Sequence, residues 1–465
     1  MRRRILLLSL LSLLQFVLVH FFLIQHFPNS GDEQAYLFQA RLFSRGQIDV
    51  KDPIYDRAHP LNKFVHADAL DDMGGRRLPK YDPGWAAALA PFARLKLEWL
   101  LAPLLGALTV FLLLSHVSKR IGNEFVGITW WLVTLCSFFS LSVANFGNHT
   151  LTMALLFGAF LVYDTIREHP MEQSLGRLFG VGLLLASCSL VRYLDWIPLM
   201  AWIAFDLLRK RKIKGLVLVL LGFGLLASLH LVYNKLATGN ALLPPAVHDA
   251  RGYQGVEAKG ASLGLSWNGF KVTAIRLLRT LYAFPPVILL LLCLIRPCRS
   301  ARLRTYVALF ALSVSTYFLY AWTPAGPGPR YLFPYFPFLF LAVVEVYRMS
   351  RDQKLARIGW PLVIAALVIC SFLYAVGQTL EIYRRKDLER TVATVAETKR
   401  IILLETGTYK MDIPDLIRNP VDLWSAQTVY LAYGDGVGLT ELLSRFPEHS
   451  VYVYRYPGSL EPWKR

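Results

Sequence analysis

The sequence predicts an all-α polytopic membrane protein with about eleven transmembrane helices and a small extracytoplasmic α/β domain at the C-terminus. Three observations support this prediction. Of the 465 residues, 55% are hydrophobic and only 18% are charged, whereas soluble globular chains carry about 25% charged residues. Several apolar runs approach the roughly 20 residues that a helix needs to cross a bilayer. Basic residues cluster between alternate runs, as they do in cytoplasmic loops.

The first predicted span covers about residues 5–27 and follows Arg2-Arg3-Arg4, which predicts a cytoplasmic N-terminus. This run is too long for the apolar part of a cleaved signal peptide. The first loop, about 28–98, is therefore predicted to be extracytoplasmic, and its ten acidic and ten basic residues leave it neutral. Within the loop we expect an amphipathic helix that ends near Arg45 and a re-entrant or interfacial segment at 85–97.

The remaining spans are predicted from the same two patterns. Each predicted inside loop carries an excess of Lys and Arg, most clearly 209–214. The stretch 178–208 is too long for one span, and we expect two spans that meet at an outside turn near Arg192 and Asp195. The predicted spans lie at about 99–117, 124–144, 150–165, two within 178–208, 215–235, 281–296, 304–322, 331–347 and 358–377.

The C-terminal segment follows the last predicted span. Short strands are expected at 401–404, 428–432 and 451–456, with a helix at 440–446, because β-branched and aromatic residues alternate there between turn residues. We therefore divide the chain into a transmembrane domain, 1–378, and a small extracytoplasmic domain, 379–465.

Composition also excludes several classes of function. The net charge of +18 is explained by the cytoplasmic loops, so no nucleic-acid partner is expected. The five cysteines lie in or beside apolar runs and show neither a disulfide framework nor a zinc spacing. The chain has no phosphate-binding loop, dinucleotide fingerprint or nucleophile elbow. No cytoplasmic loop is large enough to form a domain for a nucleotide-sugar donor.

A metal site has little support from the sequence. The first loop contains residue types that bind metals, but their spacing matches no established site, so a solvated polar loop is the preferred interpretation. We predict no metal ligands and no cofactor, and the sequence does not support a divalent metal. The residues concerned are His59, His66, Asp68, Asp71 and Asp72.

The adjacent carboxylates Asp32 and Glu33 follow the first span and allow two interpretations. Ser30-x-x-Glu33 matches a capping box, and acidic residues in a first helical turn complement the helix dipole. A carboxylate at this position is also suited to accept a proton from a hydroxyl nucleophile. Because an aspartate is a weak base, the second interpretation requires a good leaving group, such as a phosphate. The two interpretations are compatible.

Five motifs follow one another along the chain at predicted outer positions. They are Gly31-Asp32-Glu33-Gln34-Ala35-Tyr36, Lys80-Tyr81-Asp82-Pro83-Gly84-Trp85, Arg192 at an outer helix end, Tyr233–Leu242, and Gly328-Pro329-Arg330-Tyr331-Leu332-Phe333-Pro334. In the order and topology of these motifs, the sequence resembles membrane glycosyltransferases of the GT-C type over about residues 1–350. It is most similar to the branch of protein O-mannosyltransferases and lipid A aminoarabinose transferases, which is glycosyltransferase family 39-like.

The resemblance implies a sugar donor on a polyprenyl phosphate, transfer with inversion, and roles for individual residues. Asp32 would be the general base, and Glu33 would orient it or bind the acceptor. Lys80 matches a basic residue near the donor phosphate, although Tyr81-Asp82-Pro83 stands where that branch often has consecutive prolines. Arg330, after a Pro-rich turn, would face the lipid phosphate. The other residues expected to bind substrate are Tyr81, Arg192, Asn234 and Tyr331.

Each of these residues also has a structural interpretation. Arg192 has Asp195 as a partner one turn away, Arg330 suits an interfacial anchor beside Tyr331, and the stretch 233–240 suits a span exit with a glycine turn. His149, in a short outer turn, is a candidate substrate contact.

The expected partners are a polyprenyl-phosphate sugar donor, a glycan, lipid or protein acceptor, and the lipid bilayer. We expect a multi-pass integral protein of the bacterial inner (plasma) membrane, with its active site and C-terminus extracytoplasmic. The main alternative is a transporter or flippase, but charges cluster at outer helix ends and no inverted repeat is visible. An O-antigen ligase or polymerase would carry its large loop late in the chain.

Overall fold

The computed structural model describes residues 1–67, 70–167, 174–246, 248, 267–291, 300–318, 328–351, 354–405, 417–433, 437–455 and 459–463. Helices dominate these residues. They are numbered α1 to α18 in chain order: Arg2–Val19, Gly31–Ser44, Asn62–Val65, Pro83–Arg94, Glu98–Arg120, Val126–Thr134, Ser137–Ala144, His149–Ile166, Leu175–Val191, Ile197–Arg209, Ile213–Ala227, Leu229–Thr238, Trp267–Ala283, Ala301–Phe318, Phe336–Ser350, Lys354–Arg385, Asp387–Ala393 and Val437–Ser444.

The chain divides into two compact units. The helical unit comprises Met1–Gln25, Trp99–Leu229 and Val256–Thr379. The loop unit comprises His26–Glu98, His230–Gly255 and Leu380–Arg465. Most of the long apolar helices belong to the helical unit, and all the described strands belong to the loop unit.

Five helices in the described part of the chain are long and apolar enough to cross a membrane: Arg2–Ile24, Glu98–Arg120, His149–Ile166, Ile213–Thr238 and Gly359–Arg385. They correspond to the predicted spans that begin near residues 5, 99, 150, 215 and 358. A bent pair of helices supplies a sixth if it counts as one span. The total of eleven stays a prediction.

The predicted span at 124–144 is not one continuous helix. Asn123–Thr134 and Ser137–Ala144 meet at an angle of 69°. Between them Cys136 has an extended backbone, and the Ser137 N–H donates to Ser371 Oγ at 3.3 Å. Helical hydrogen bonding is interrupted at this point, so the segment is bent, and the span predicted here stays a prediction.

Two sheets lie in the loop unit. In the first, β1 (Val50–Lys51), β2 (Leu70–Met73) and β3 (Arg76–Pro79) form an antiparallel sheet with β3 in the centre. The second has the order β5-β4-β6-β7, in which β4 pairs in parallel with β5 and β6, and β7 pairs antiparallel with β6. Its strands are β4 (Arg400–Leu404), β5 (Thr428–Ala432), β6 (Ser450–Arg455) and β7 (Ser459–Pro462).

The strands expected in the C-terminal segment are therefore present, and the expected helix is α18. Successive side chains of a strand point to opposite faces of a sheet, and β4 is buried on both. Ile401 and Leu403 pack in a cluster with the first-loop residue Phe64. Ile402 and Leu404 pack in another cluster with Phe38 and other residues of α2. The first loop and the C-terminal segment thus pack together on both faces of this sheet, and α2 is held against one of the two faces.

Candidate active site

Helix α2 begins with the predicted capping arrangement. Ser30 is the N-cap, with an extended backbone, and its Oγ accepts a hydrogen bond from the Glu33 N–H at 3.2 Å. The Glu33 carboxylate accepts from the Asn29 N–H at 2.9 Å, one residue earlier than in the usual capping box. Glu33 is only 7% exposed. Its carboxylate therefore stabilises the start of the helix, and Asp32 is the more accessible acid of the pair.

The Asp32 carboxylate accepts a hydrogen bond from the Tyr81 hydroxyl. Tyr81 is held in place by two residues of α2: its ring centroid lies 4.8 Å from that of Tyr36, and its carbonyl accepts from Gln39 Nε2 at 3.2 Å. Gln39 also donates to the Tyr233 hydroxyl at 2.9 Å. Residues three and four apart share a helix face, so Asp32, Tyr36 and Gln39 present one surface of α2 to Tyr81.

Strand β3 leads directly into Tyr81 and is fixed by a buried ion pair. The Arg77 guanidinium donates to both carboxylate oxygens of Asp72, each at 2.6 Å. Asp72 is fully buried, and burial alone would raise its pKa; the charge and hydrogen bonds of Arg77, together with His66, outweigh burial and lower the pKa to about 2. Asp72 lies on β2 and Arg77 lies opposite it on β3. The ion pair therefore fixes the register between these two strands, and with it the position of Tyr81 beside Asp32.

The interpretation of the first loop as a solvated polar segment is wrong at Asp71 and Asp72, since both are fully buried. Asp71 accepts from Arg57 at 2.8 Å and lies 2.8 Å from His248 Nδ1. Burial of these carboxylates is tolerated because each has a cationic or hydrogen-bonding partner. Among the described residues, no group of three or more His, Cys, Asp or Glu could hold a metal ion; Asp68 lies outside those residues.

Two other expected site residues belong to the loop unit. Lys80 is half-buried and precedes Tyr81. Asn234 is 6% exposed, and its amide donates to the Ala241 carbonyl at 3.2 Å. Its carbonyl accepts from the Thr238 hydroxyl at 2.9 Å, and Gly239 follows with φ of +77°. The expected helix exit with a glycine turn is present, and Asn234 holds it together.

In the helical unit, Arg192 has several partners. It ends α9 and pairs with Asp195 at 2.5 Å, as the spacing of three residues suggested. It also donates to the Tyr317 hydroxyl at 3.1 Å and contacts His149 Nε2. A histidine nitrogen that faces a guanidinium has to act as an acceptor. Asp195 is fully buried and also accepts from Tyr317.

Three guanidinium groups surround the Tyr331 ring. Their central carbons lie 5.3 Å (Arg192), 5.1 Å (Arg276) and 5.7 Å (Arg330) from its centroid. Together with Asp195, these side chains carry a net charge of +2. A cluster of arginines on an aromatic ring is suited to bind a phosphate or carboxylate through several parallel hydrogen bonds. We call Arg192, Arg276, Arg330 and Tyr331 the arginine cluster.

The structure therefore brings the expected residues together in two groups, Asp32 with Tyr81 in the loop unit and Arg192 with Arg330 and Tyr331 in the helical unit. Residues 323–327 of the Pro-rich turn before Arg330 lie outside the described residues.

The sequence interpretation placed Arg276 in an amphipathic segment but not among the site residues; in the structure it is 3% exposed on α13. The pattern of polar residues along α13 could have identified it. Its polar residues Thr273, Arg276 and Thr280 are buried, whereas Trp267 and Leu278 are exposed. In a membrane protein, a polar face points into the bundle.

Comparison with known proteins gives one relevant likeness. No family model matches the sequence, and no curated protein matches it. Among solved structures, the chain is similar to ArnT from Cupriavidus metallidurans bound to undecaprenyl phosphate, with a TM-score of 0.51 and 11% sequence identity over 95% of this chain and 88% of that one. At this identity the likeness concerns the fold. The protein is thus a helical integral membrane protein with a fold similar to that of ArnT.

Proposed function

We propose that the protein transfers a sugar from a polyprenyl-phosphate-linked donor to an acceptor hydroxyl at the outer face of a bacterial inner membrane, with inversion at the anomeric carbon. The observation that carries this proposal is the Asp32 carboxylate, held by the Tyr81 hydroxyl at the start of the helix that follows the first apolar helix. The likeness to a structure bound to undecaprenyl phosphate supports the class of donor.

In the proposed reaction, Asp32 is the general base. The acceptor oxygen forms a bond to the anomeric carbon while the bond from that carbon to the phosphate oxygen breaks. The proton of the acceptor hydroxyl passes to Asp32, and the phosphate leaves with the bonding electron pair. Attack on the face opposite the phosphate inverts the anomeric centre. A carboxylate is sufficient as the base because phosphate is a good leaving group.

Tyr81 acts as a positioning residue in this scheme. Its hydroxyl hydrogen bond restricts rotation of the Asp32 carboxylate. The contacts of Tyr81 with Tyr36 and Gln39 reduce its own freedom. Such restraint lowers the entropic cost of reaching the reactive geometry.

The arginine cluster is proposed to bind the lipid phosphate. Its net charge of +2 matches a phosphate monoester released with a charge close to −2. Guanidinium groups remain charged at any relevant pH and form paired hydrogen bonds to phosphate oxygens. Arg276 joins the expected Arg192 and Arg330 in this role. Lys80 and Asn234 are retained as substrate contacts, and Glu33 as a residue that fixes the position of Asp32.

The test uses purified full-length protein and a panel of radiolabelled hexoses and pentoses on undecaprenyl phosphate. We expect Asp32→Asn to lower kcat by roughly 10²- to 10⁴-fold with little change in the KM for the donor. The matched control is Asp82→Asn, which removes a carboxylate from the same motif region and should keep near-normal activity. Native thermal stability of both variants establishes that they fold.

Normal transfer by folded Asp32→Asn protein would overturn the assignment of the base. The transporter alternative predicts a different outcome. Wild-type and Asp32→Asn protein would then move lipid-linked sugars across liposomes at equal rates, without covalent transfer to any acceptor.

A further inference from the structure

Three segments of the loop unit meet at the backbone carbonyl of Tyr81. Gln39 of α2 donates to this carbonyl through its Nε2 at 3.2 Å. The Tyr233 hydroxyl, from the part of α12 that belongs to the loop unit, donates to the same carbonyl at 3.5 Å. The Gln39 nitrogen also donates to the Tyr233 hydroxyl at 2.9 Å. The three groups therefore form a closed triangle of hydrogen bonds at the backbone of the residue whose hydroxyl holds Asp32.

The carbonyl determines the direction of these hydrogen bonds. A backbone carbonyl can only accept, so the nitrogen of the Gln39 amide must face Tyr81 and the amide oxygen must point elsewhere. The Tyr233 hydroxyl then accepts from Gln39 and uses its own proton for the Tyr81 carbonyl. A glutamate could not replace Gln39 in this triangle, because an ionised carboxylate has no proton to donate.

Burial restricts the motion of the two donor side chains. Gln39 is fully buried, and Tyr233 is 7% exposed. The Tyr233 ring packs against Leu78 of β3, and its centroid lies 6.4 Å from that of Phe43 on α2. Close-packed side chains have few alternative positions. The Tyr81 carbonyl is therefore held in a defined position relative to both α2 and β3.

Stability alone does not account for a glutamine at position 39. Among the described residues, the buried Oε1 of Gln39 has no hydrogen-bond partner. A buried acceptor without a partner destabilises a protein, and an apolar side chain of the same shape would avoid this loss. The unpaired oxygen belongs to an amide that contacts the residue next to the proposed base, which favours a functional role for this amide.

We propose that Gln39 and Tyr233 are positioning residues for the transfer reaction. By fixing the Tyr81 carbonyl, they fix the backbone from which the tyrosine side chain extends, and so hold its hydroxyl against the Asp32 carboxylate. The hydroxyl lies at the far end of the side chain, so a small rotation of this backbone displaces it. Misplacement by about 1 Å can slow a reaction by about 10²-fold. The inference rests on the proposed function, in which Asp32 is the base.

The test uses full-length protein and the transfer assay described above, with Gln39→Met and Tyr233→Phe as the variants. Each should lower kcat about 3- to 10-fold, the range expected for loss of one neutral hydrogen bond, with little change in donor KM. The melting temperature of Gln39→Met should not fall, because the substitution also removes the unpaired oxygen. A lower melting temperature with normal kcat in the folded protein would show a structural role and overturn the proposal.

A double variant tests whether the two residues act through Tyr81. In Tyr81→Phe protein the hydroxyl is absent, so Gln39→Met should cause little further loss of kcat, whereas independent contributions would multiply. The matched control is Arg76→Leu. It removes a different hydrogen bond between β3 and α12, from Arg76 to the Leu236 carbonyl at 3.1 Å, and should leave kcat unchanged.

The outcomes distinguish this inference from the proposed function. Normal transfer by folded Asp32→Asn protein would overturn both. Loss of transfer in Asp32→Asn, with unchanged kcat in Gln39→Met and Tyr233→Phe, would overturn the positioning role alone. Multiplied losses in the Tyr81→Phe background would also overturn it, since the two residues would then act by another route. If Gln39→Met fails to fold, Tyr233→Phe, which removes a single oxygen atom, decides the question in the same assays.

Discussion

The adjacent residues Arg76 and Arg77 offer an internally controlled test of how strand β3 is held. Arg77 pairs with Asp72 inside the loop unit, where the two side chains are 3% and 0% exposed. Arg76 pairs with Asp49 at the surface and is 28% exposed. The perturbation is Arg77→Leu, compared with Arg76→Leu on the opposite face of the same strand.

The expected losses in the free energy of unfolding differ between the two variants because only one of the two ion pairs is buried. The pKa of Asp72 falls from 3.8 to about 2, and at about 1.4 kcal/mol per pKa unit this amounts to about 2–3 kcal/mol of native-state stabilisation at neutral pH. Loss of Arg77 also leaves Asp72 buried without its partner, which raises the expected cost to about 3–5 kcal/mol. Loss of Arg76 should cost about 1 kcal/mol or less.

Hydrogen–deuterium exchange of the peptide that contains β2 and β3 measures these costs. Protection should fall by roughly 10²- to 10³-fold in Arg77→Leu and by about fivefold or less in Arg76→Leu. A second substitution, Asp72→Asn, should restore part of the protection lost in Arg77→Leu, since the uncompensated charge is removed. Equal losses in the two single variants would refute the argument from burial.

The pair also predicts a pH dependence. A carboxyl whose pKa is depressed in the folded state stabilises the protein fully above its unfolded value and loses this contribution as the pH falls. For Asp72 the loss should occur between 3.8 and about 2. Acid unfolding followed by circular dichroism should show a smaller slope in this window for Asp72→Asn.

The remaining predictions concern single residues of the two groups. Ser30→Ala should destabilise the start of α2 by about 1 kcal/mol, seen as faster amide exchange in its first turn. Tyr81→Phe should lower kcat about tenfold or more with little change in donor KM, as expected for a lost hydrogen bond to a charged group; an unchanged kcat would argue against its positioning role. Arg276→Met should raise donor KM by about 10- to 100-fold, whereas Lys271→Met on the exposed side of the same helix should not. Gly328→Ala should lower thermal stability by about 1–3 kcal/mol, because Gly328 has φ of +104° and an added Cβ would lie 2.7 Å from a phenylalanine ring carbon.

Local features of the structure were predictable from the sequence. The cap at Ser30 and Glu33 follows from residue types and a spacing of three, and the pair of Arg192 and Asp195 from the same spacing. The strands of the C-terminal segment follow from the alternation of their β-branched and aromatic residues with other residues. Each of these inferences needs only neighbours within one helical turn or one strand.

Contacts between distant segments were not predictable in the same way. The hydrogen bond from Tyr81 to Asp32 joins residues 49 positions apart, and it depends on how β3 and α2 are both placed. Burial of Asp72 depends on the register that sets it opposite Arg77. A charged residue in a loop is normally solvated. Burial of Asp72 could be inferred only if its pairing with Arg77 across the sheet were already known.

The shared core of the loop unit has a consequence for biosynthesis. Phe64 packs in the same cluster as Ile401, although more than 300 residues separate them in the chain. At about 5–20 residues per second, the ribosome needs on the order of 15–70 seconds to make the intervening segment. During that interval the apolar side chains around α2 have no sheet to cover them. The nascent chain is therefore most vulnerable to proteases and to holding chaperones before the strands within residues 400–455 emerge, and a loss of these strands would leave the Asp32 helix without its support.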